Sequence, residues 1–277
     1  MCKSEGINFF YVNLPTKICV SQDKNISGIL DFSNQNTDRF LLGLKESGVK
    51  YYDLRKILHN EGMNHHEAFF KTDHHWKPET GLWAAKKVLE FLRNDYNYNV
   101  NPEILNPENF DKVIYPEWFL GSQGKKVTLK RARPEDISLI YPKYRTQFNF
   151  QAPAAGINIS GDFGVIYEMK SIVSKDFYGT NPYAVYKYGD QPLSITHNFL
   201  SDNNNKILVI HDSFSNSLIP FLALGVQQID EIDLRHFSGS LRTYIKFTRP
   251  DLVFIAYLSG IQGQPKSNNK NEFFDFR

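Results

Sequence analysis

The chain has 277 residues, of which 41% are hydrophobic and 14% aromatic, so it can bury a sizeable core and is neither disordered nor fibrous. Its 32 basic and 30 acidic residues give a formal net charge of +2, which gives no reason to expect nucleic acid or an anionic membrane as the main partner. Two cysteines, Cys2 and Cys19, are too few for a disulfide framework or a four-thiolate zinc site. No run reaches the roughly 18 apolar residues that span a bilayer, and no signal peptide is visible.

The first hundred residues alternate between strand and helix patterns. Residues 7–12 are apolar, β-branched and aromatic, which predicts a buried strand, and residues 49–54 predict a second strand followed by a short helix through Ile57. Between the two strands, apolar residues recur at helical spacing around residues 40–44. The clearest helix runs from Pro78 to Leu92, because proline suits a first helical turn and the apolar residues after it share one face.

The last seventy residues show the same alternation. Three apolar runs, at residues 207–210, 229–234 and 252–257, predict strands, and helical patterns lie between them, the first ended by Gly225. Strand–helix alternation at this spacing implies right-handed crossovers and a parallel sheet. Residues 93–204 are rich in Asn, Tyr, Pro and Gly and predict a loop-rich insertion with short strands at residues 138–141 and 164–167. The overall prediction is a single three-layer α/β domain, interrupted by this insertion.

Two loops place polar side chains where the carboxyl ends of parallel strands gather ligands. Asp212 and Ser213 follow the most apolar strand and precede a predicted helix, so the serine hydroxyl can be exposed at the edge of the sheet, where helix N–H groups could stabilise an oxyanion. Helix capping alone would also explain these two residues. Asp73 and His75 lie in the other loop at a spacing that points both side chains to one side, so the carboxylate can orient the imidazole as a base for a serine.

Metal binding is the rival hypothesis for the histidines. Five of the eight fall within one short stretch, namely His59, His65, His66, His74 and His75. Imidazoles are common zinc ligands, but the stretch contains no His-Glu-x-x-His pattern, and adjacent histidines in extended backbone point to opposite faces. We therefore expect no metal and no cofactor, and a packing or solvated role for the first three of these histidines.

Four blocks of the sequence resemble a known family. Residues 69–81, which contain Asp73-His74-His75-Trp76, resemble the signature of the DHHW proteins, relatives of the alginate O-acetyltransferases with SGNH-hydrolase-like domains. Residues 206–214 resemble the family's strand-Gly-Asp-Ser-Phe block, residues 232–237 its Asp-x-Arg-Tyr block, and residues 119–122 one of its loops. The resemblance implies a three-layer α/β/α, flavodoxin-like parallel sheet, circularly permuted relative to typical SGNH enzymes because the Asp-His pair precedes the serine.

The resemblance also implies a catalytic role for each motif. Ser213 would be the nucleophile, His75 the general base and Asp73 its orienting partner. Residues that would contact the substrate or the oxyanion are Arg235, Gly121, Ser122 and Tyr257, although a structural ion pair would equally explain the arginine. The implied reaction is serine-dependent acyl transfer, with O-acetylation of an extracellular or cell-wall polysaccharide through an acetyl-serine intermediate. A carbohydrate esterase or deacetylase with the same triad, and a decayed glycan-binding module, are the alternatives.

The implied partners are a polysaccharide acceptor, an acetyl donor and a membrane protein that hands over the acetyl group, with no nucleic acid. The resemblance places the protein in the cell envelope, outside the cytoplasm. The family usually carries a membrane-anchoring segment at its N-terminus, and the resemblance implies that this segment has been removed or lost here. One departure from the family pattern concerns the site itself, because His211 stands where a glycine usually precedes Asp-Ser. A residue with a Cβ has fewer backbone conformations available than glycine has.

Overall fold

The structure is a computed structural model, which describes residues 2–21, 28, 31–263, 272–274 and 276. Within them the strands are β1 (Asn8–Leu14), β2 (Lys50–Asp53), β3 (Phe110–Phe119), β4 (Glu135–Pro142), β5 (Phe148–Ala152), β6 (Ile157–Gly161), β7 (Leu193–Asn198), β8 (Lys206–His211), β9 (Gln228–Ile232) and β10 (Leu252–Leu258). The helices are α1 (Ser33–Glu46), α2 (Leu54–Asn60), α3 (Pro78–Tyr96), α4 (Ser122–Val127), α5 (Lys170–Val173), α6 (Ile219–Leu222) and α7 (Leu241–Thr248). None of the helices in these ranges combines the length and the apolar character that crossing a bilayer requires.

One sheet organises the molecule, with the strand order β2-β1-β10-β8-β9-β7-β5-β6. The five strands from β2 to β9 are parallel, and β7, β5 and β6 extend the sheet in antiparallel pairs. Side chains of β8 alternate between the two faces: Ile207 and Val209 join the core cluster that contains α2 and α3, whereas Leu208 and Ile210 join the cluster that contains α1 and α7. The sheet is therefore covered on both sides, and the predicted three-layer α/β/α architecture is confirmed.

The region predicted as a loop-rich insertion is more regular than expected. The predicted strand at residues 138–141 lies within β4, which pairs with β3 in a separate antiparallel ribbon. Strands β5, β6 and β7 were not predicted, and they join the main sheet. The predicted strand at residues 164–167 is wrong: Phe163–Ile166 form a 3-10 helix, which Asp162 caps by accepting a hydrogen bond from the Gly164 N–H at 2.9 Å.

The segment after β8 also departs from the expected single helix. It consists of a 3-10 helix over Ser213–Ser217, the one-turn helix α6 and a second 3-10 helix over Ala223–Gly225. Pro220 lies at the start of α6, where it lacks an N–H to donate. All residues of the three pieces are buried except Ser213, so the segment has no exposed polar face of the kind that an amphipathic surface helix has. Gly225 lets this segment approach α3, because a Cβ there would overlap the side chain of Leu89.

Candidate active site

The loop that carries Asp73 and His75 is closed at its base. Phe69 and Trp76 form an antiparallel bridge, and the Phe70 N–H donates to the His75 carbonyl at 3.2 Å. Glu135, the first residue of β4, holds the tip: its carboxylate accepts hydrogen bonds from the Lys71 N–H and from the backbone and hydroxyl of Thr72, at 2.6–2.8 Å. The loop is therefore fixed to a distant strand, which was not apparent from its own sequence.

Asp73 and His75 are hydrogen-bonded to each other. His75 Nδ1 lies 2.6 Å from Asp73 Oδ1, and the His75 N–H donates to the same oxygen at 3.0 Å. Burial would raise the pKa of Asp73, but the hydrogen bonds from the His75 ring, the His75 backbone and the Ser122 backbone outweigh it and hold the pKa well below its usual value. Because an ionised carboxylate only accepts hydrogen bonds, Nδ1 is the donor in this contact and Nε2 faces away from Asp73.

Ser213 begins the 3-10 helix that follows β8. Asp212 caps this helix, because its Oδ1 accepts from the Phe214 N–H at 3.0 Å, and its Oδ2 accepts from the Leu258 N–H at 2.8 Å. These two bonds tie the turn to the ends of β8 and β10. Burial raises the pKa of Asp212 to about 7, against the lowering effect of the two backbone hydrogen bonds. The capping function that the residue types suggested is thus observed for Asp212, whereas Ser213 stays partly exposed at the surface.

The structure brings the two loops together. His75 Nε2 lies 2.8 Å from Oγ of Ser213, which is 138 positions further along the sequence, so Asp73, His75 and Ser213 form one hydrogen-bonded chain. The distance is within the reach that proton transfer from the hydroxyl requires. Trp76 joins the same loops, because its Nε1–H donates to the Phe214 carbonyl at 2.8 Å. The arrangement is able to activate a serine hydroxyl for nucleophilic attack.

Gly121 and Ser122 lie beside the Asp-His pair and away from the position predicted for them. The Gly121 N–H donates to Thr72 Oγ1 at 3.0 Å, and the Ser122 N–H donates to Asp73 Oδ2 at 2.6 Å. Both backbone donors are therefore engaged and do not point at an oxyanion. In the structure these two hydrogen bonds hold the Asp73 carboxylate and its loop in place.

The side chains of the other two predicted residues, Arg235 and Tyr257, are engaged by partners within the protein. Arg235 forms a two-pronged ion pair with the fully buried carboxylate of Asp233, with Nε 2.9 Å from Oδ1, and its Nη2 lies 3.3 Å from Asp190 Oδ2. This is the structural ion pair that was the alternative explanation for the arginine. Tyr257 is fully buried, and its hydroxyl donates to the Phe273 carbonyl at 2.6 Å. A side chain enclosed in this way cannot touch a bound molecule.

Two groups of side chains in the described residues have donor atoms close enough to hold a metal ion, Asp73–His74–His75 and Asp190–Asp233–His236. In the first group, Asp73 Oδ1 already accepts two hydrogen bonds from His75. In the second group, the guanidinium of Arg235 lies against both carboxylates, where its positive charge opposes a cation. The side chains of both groups are therefore better explained by their hydrogen bonds and ion pairs than by binding of a metal ion.

His211, the residue in place of the family glycine, is the last residue of β8 and has ordinary strand backbone. It is fully buried, and its Nδ1 lies 2.9 Å from the Asp212 carbonyl oxygen. Its Nε2 is 3.6 Å from Glu231 Oε2, which in turn is 2.9 Å from Lys187 Nζ; the last contact has ion-pair distance but not hydrogen-bond alignment. Burial and the positive charge of Lys187 both lower the pKa of His211. The imidazole thus fills a buried charged cluster beneath the serine turn.

One segment that the sequence pattern did not single out packs against the site from the side. Tyr183 stacks on the His75 ring, with 4.3 Å between the ring centroids and 16° between the planes. Lys187 pairs with Glu231, and Asp190 Oδ1 accepts from the Asn216 side chain in the serine turn at 2.7 Å. The segment lies in the region without clear periodicity, and an isolated tyrosine there gives no signal of its partner.

Comparison with known proteins supports the resemblance that the motifs carry. A family model described as the SGNH hydrolase-like domain of the acetyltransferase AlgX matches residues 2–107. No curated protein gives a significant match. Among solved structures, Bacillus cereus PatB1 has a TM-score of 0.77 at 18% identity, covering 100% of this chain and 88% of that one.

Two further structures share the fold. A DHHW family protein from Eubacterium siraeum has a TM-score of 0.71 at 17% identity, covering 94% of this chain and 80% of that one. The O-acetyltransferase domain of Pseudomonas putida AlgJ has a TM-score of 0.56 at 13% identity, covering 96% and 80%. The family model over residues 2–107 and these folds confirm the resemblance of the chain to the alginate O-acetyltransferase-like DHHW proteins with SGNH hydrolase-like domains.

Proposed function

We propose that the protein is a serine-dependent O-acetyltransferase that transfers an acetyl group to a hydroxyl of a polysaccharide. The observation that supports this most is the hydrogen-bonded chain from Asp73 through His75 to Ser213, with contacts of 2.6 and 2.8 Å and a serine that solvent can reach. The match to the SGNH hydrolase-like domain of an acetyltransferase supports the acetyl group as the one transferred.

In the first half of the reaction, His75 Nε2 takes the proton of Ser213 as Oγ attacks the acetyl carbonyl of a donor ester. The bond from Oγ to the carbonyl carbon forms, and the imidazolium is stabilised by the ionised Asp73. When the tetrahedral intermediate collapses, the bond to the donor oxygen breaks and that oxygen leaves with the proton from His75. The product is acetyl-Ser213.

The negative charge of the tetrahedral intermediate needs hydrogen-bond donors near Oγ. The Ser213 N–H is the first amide of the 3-10 helix and has no acceptor within the described part of the chain, so we assign the oxyanion to it. The amides of Gly121 and Ser122 are excluded from this role by their bonds to Thr72 and Asp73.

In the second half of the reaction, a sugar hydroxyl gives its proton to His75 and attacks the acetyl carbonyl, and Ser213 Oγ leaves with that proton. Water can follow the same path, because the same base activates both nucleophiles. An esterase would therefore share the first half with the transferase. The two functions differ only in the acceptor of the acetyl group, so an experiment must identify that acceptor to distinguish them.

The experiment compares wild type with Ser213→Ala, using p-nitrophenyl acetate as donor and mass spectrometry to detect an acetylated serine. Wild type should release p-nitrophenol and carry the acetyl group on Ser213, and the variant should do neither. Ser215→Ala is the matched control, because Ser215 is two residues away and fully buried. An active Ser213→Ala variant would refute the proposal.

The acceptor is tested by adding soluble oligosaccharides to acetylated enzyme and measuring where the acetyl group goes. Transfer to sugar in preference to water supports the transferase, and release as free acetate alone identifies an esterase. An inactive wild type that still binds glycan would instead identify a binding module. The same proposal places the protein in the cell envelope, where a membrane protein would supply the acetyl donor, and cell fractionation tests that location.

A further inference from the structure

The ring of Tyr183 lies against the imidazole that the proposed reaction uses as a base. The two planes are 16° from parallel and the centroids are 4.3 Å apart, so His75 faces the π-electrons of the tyrosine and not its edge. Tyr183 is 2% exposed, which removes water from this contact and prevents the ring from reaching a bound substrate. Its position on a short 3-10 helix, Pro182–Val185, is fixed by packing against Phe119 and Tyr186.

The hydroxyl of Tyr183 makes a second connection to the site. It lies 3.1 Å from Ser217 Oγ, which also accepts the Trp76 Nε1–H at 2.9 Å. Ser217 ends the 3-10 helix that Ser213 begins, and Trp76 follows His75 directly in the chain. Tyr183 therefore contacts the base loop with its ring and the serine turn with its hydroxyl.

We propose that Tyr183 is a positioning residue, whose ring holds the plane of His75 and stabilises the imidazolium that forms when His75 takes the Ser213 proton. The face of an aromatic ring carries negative charge density and attracts a cation, and the attraction is strongest where water is excluded. The contact favours the protonated imidazole over the neutral one. It therefore lowers the energy of the charged transition state more than that of the resting enzyme.

The other titratable groups around His75 and Tyr183 also affect the charge at the site. Asp73 on the same loop stabilises the imidazolium through its ionised carboxylate. His74 lies 3.8 Å from His75 between ring centroids, and burial together with repulsion from His75 lowers the pKa of His74, so this neighbour is neutral near pH 7. Asp190 and Asp212 lie close enough to act on Tyr183, whose pKa is raised by burial, so the phenol keeps its proton. Tyr183 thus acts as a neutral aromatic ring.

The inference depends on the proposed function, and three variants test it. Tyr183→Leu removes the ring and the hydroxyl, Tyr183→Phe keeps the ring, and Tyr186→Leu is the matched control. Tyr186 is a fully buried tyrosine on the same segment whose ring packs against Tyr183 and, among the described residues, makes no ring contact with His75. Tyr186→Leu therefore reproduces the loss of packing without the loss of the stacked ring.

We expect kcat for the acetyl ester to fall about 5- to 30-fold in Tyr183→Leu relative to Tyr186→Leu, the factor that about 1–2 kcal/mol of lost stabilisation gives. KM should be nearly unchanged, because the ring does not reach the substrate. Tyr183→Phe should restore most of kcat. The acid limb of the kcat/KM profile should move about 0.7–1.5 pH units lower in Tyr183→Leu, because the imidazolium has lost a stabilising neighbour.

A titration of the His75 ring followed by NMR in Ser213→Ala background measures the same effect without catalysis. Its midpoint should be lower in Tyr183→Leu than in Tyr183→Phe or Tyr186→Leu. An equal midpoint in the three variants would overturn the inference, even if the esterase assay failed. Conversely, an inactive wild type with the expected shift in midpoint would refute the proposed function and leave the stacked contact supported.

Discussion

The Ser122 N–H donates to Asp73 Oδ2 at 2.6 Å and so holds the oxygen that His75 does not use. The two residues are 49 positions apart, and the contact is possible because Gly121 lets the backbone pass close to the carboxylate. A Cβ at Gly121 would lie 2.6 Å from Asp73 Oδ2 and equally close to the Thr72 carbonyl oxygen. Asp73 is thus oriented by a loop that contributes no side chain to the proposed chemistry.

Gly121→Ala should therefore reduce acetyl-ester turnover by about 100-fold or more, because a displacement near 1 Å of a catalytic side chain has an effect of this order. Gly121 has a φ of −71°, which alanine adopts freely, so lack of space is the cause of the loss. Steady-state kinetics with p-nitrophenyl acetate measures the effect. Gly43→Ala is the control, because Gly43 lies in α1 with no atom within 4 Å of the added methyl group. Full activity in Gly121→Ala would mean that the loop does not position Asp73.

The low pKa of Asp73 predicts how stability depends on pH. The carboxylate is ionised more readily in the folded state than in the unfolded state, so its contribution is present above the unfolded value of about 3.9 and is lost as the pH falls below it. Wild type should be more stable than Asp73→Asn at pH 5, and this advantage should shrink steadily towards pH 2. Urea unfolding at several pH values measures the difference.

The exposed carboxylate Asp111 provides the control for this titration. Its side chain is 72% exposed and only 3.5 Å from one lysine, so Asp111→Asn should change the free energy of unfolding little at any pH. An advantage of wild type over Asp73→Asn that stayed constant between pH 5 and pH 2 would contradict the hydrogen-bonded, ionised state of Asp73 described above.

The sequence predicts the strands that are apolar at every position and the helices whose apolar residues recur at helical spacing. β8 and β10 are apolar runs buried on both faces, and α3 has one apolar face, so each is recognisable without its partners. β5 is different. Phe148, Phe150 and Ala152 alternate with half-buried residues, but the strand has only five residues. It pairs locally with β6 and also with β7, some 45 positions away, and this second pairing, which joins both short strands to the main sheet, is not revealed by a single sequence.

The same limit applies to the site. The spacing of Asp73 and His75 is local, and the motif resemblance adds Ser213, so these three residues could be predicted before the structure. The motif alone did not reveal that the Ser122 amide binds the Asp73 carboxylate and that the Gly121 amide binds the Thr72 hydroxyl. Tyr183 belongs to no motif, and it meets His75 because its segment packs on the serine turn, which it contacts through Ser217 and Asn216.

The buried pair of Lys187 and Glu231 predicts a large effect on stability. Both side chains are fully buried, with Nζ 2.9 Å from Oε2. Lys187→Met leaves the carboxylate buried without its partner, which should lower the free energy of unfolding by about 3–5 kcal/mol. The double variant Lys187→Met, Glu231→Gln should recover much of that loss, because a neutral amide is far less costly to bury than a charge. Chemical denaturation of the single and double variants measures both.

An exposed ion pair is the control for the loss of stability expected in Lys187→Met. Lys50 and Asp95 are 3.1 Å apart, with side chains 46% and 34% exposed, and Lys50→Met should cost no more than about 1 kcal/mol. If Lys187→Met were as mild as Lys50→Met, the contact between Lys187 and Glu231 would not act as a buried ion pair.

His211 occupies the position where the family that the motifs resemble usually has a glycine. Its backbone is that of a strand, so the side chain causes no strain at the serine turn, and its imidazole fills space between Asp212 and Glu231. His211→Gly should therefore lower the free energy of unfolding by about 2–5 kcal/mol, since it leaves a cavity and adds backbone freedom. Turnover of the acetyl ester should stay well above that of Ser213→Ala, because Phe214 and Leu258 hold the turn through Asp212. Activity as low as in Ser213→Ala, measured where His211→Gly is still folded by circular dichroism, would instead show that the imidazole is needed for the geometry of the nucleophile.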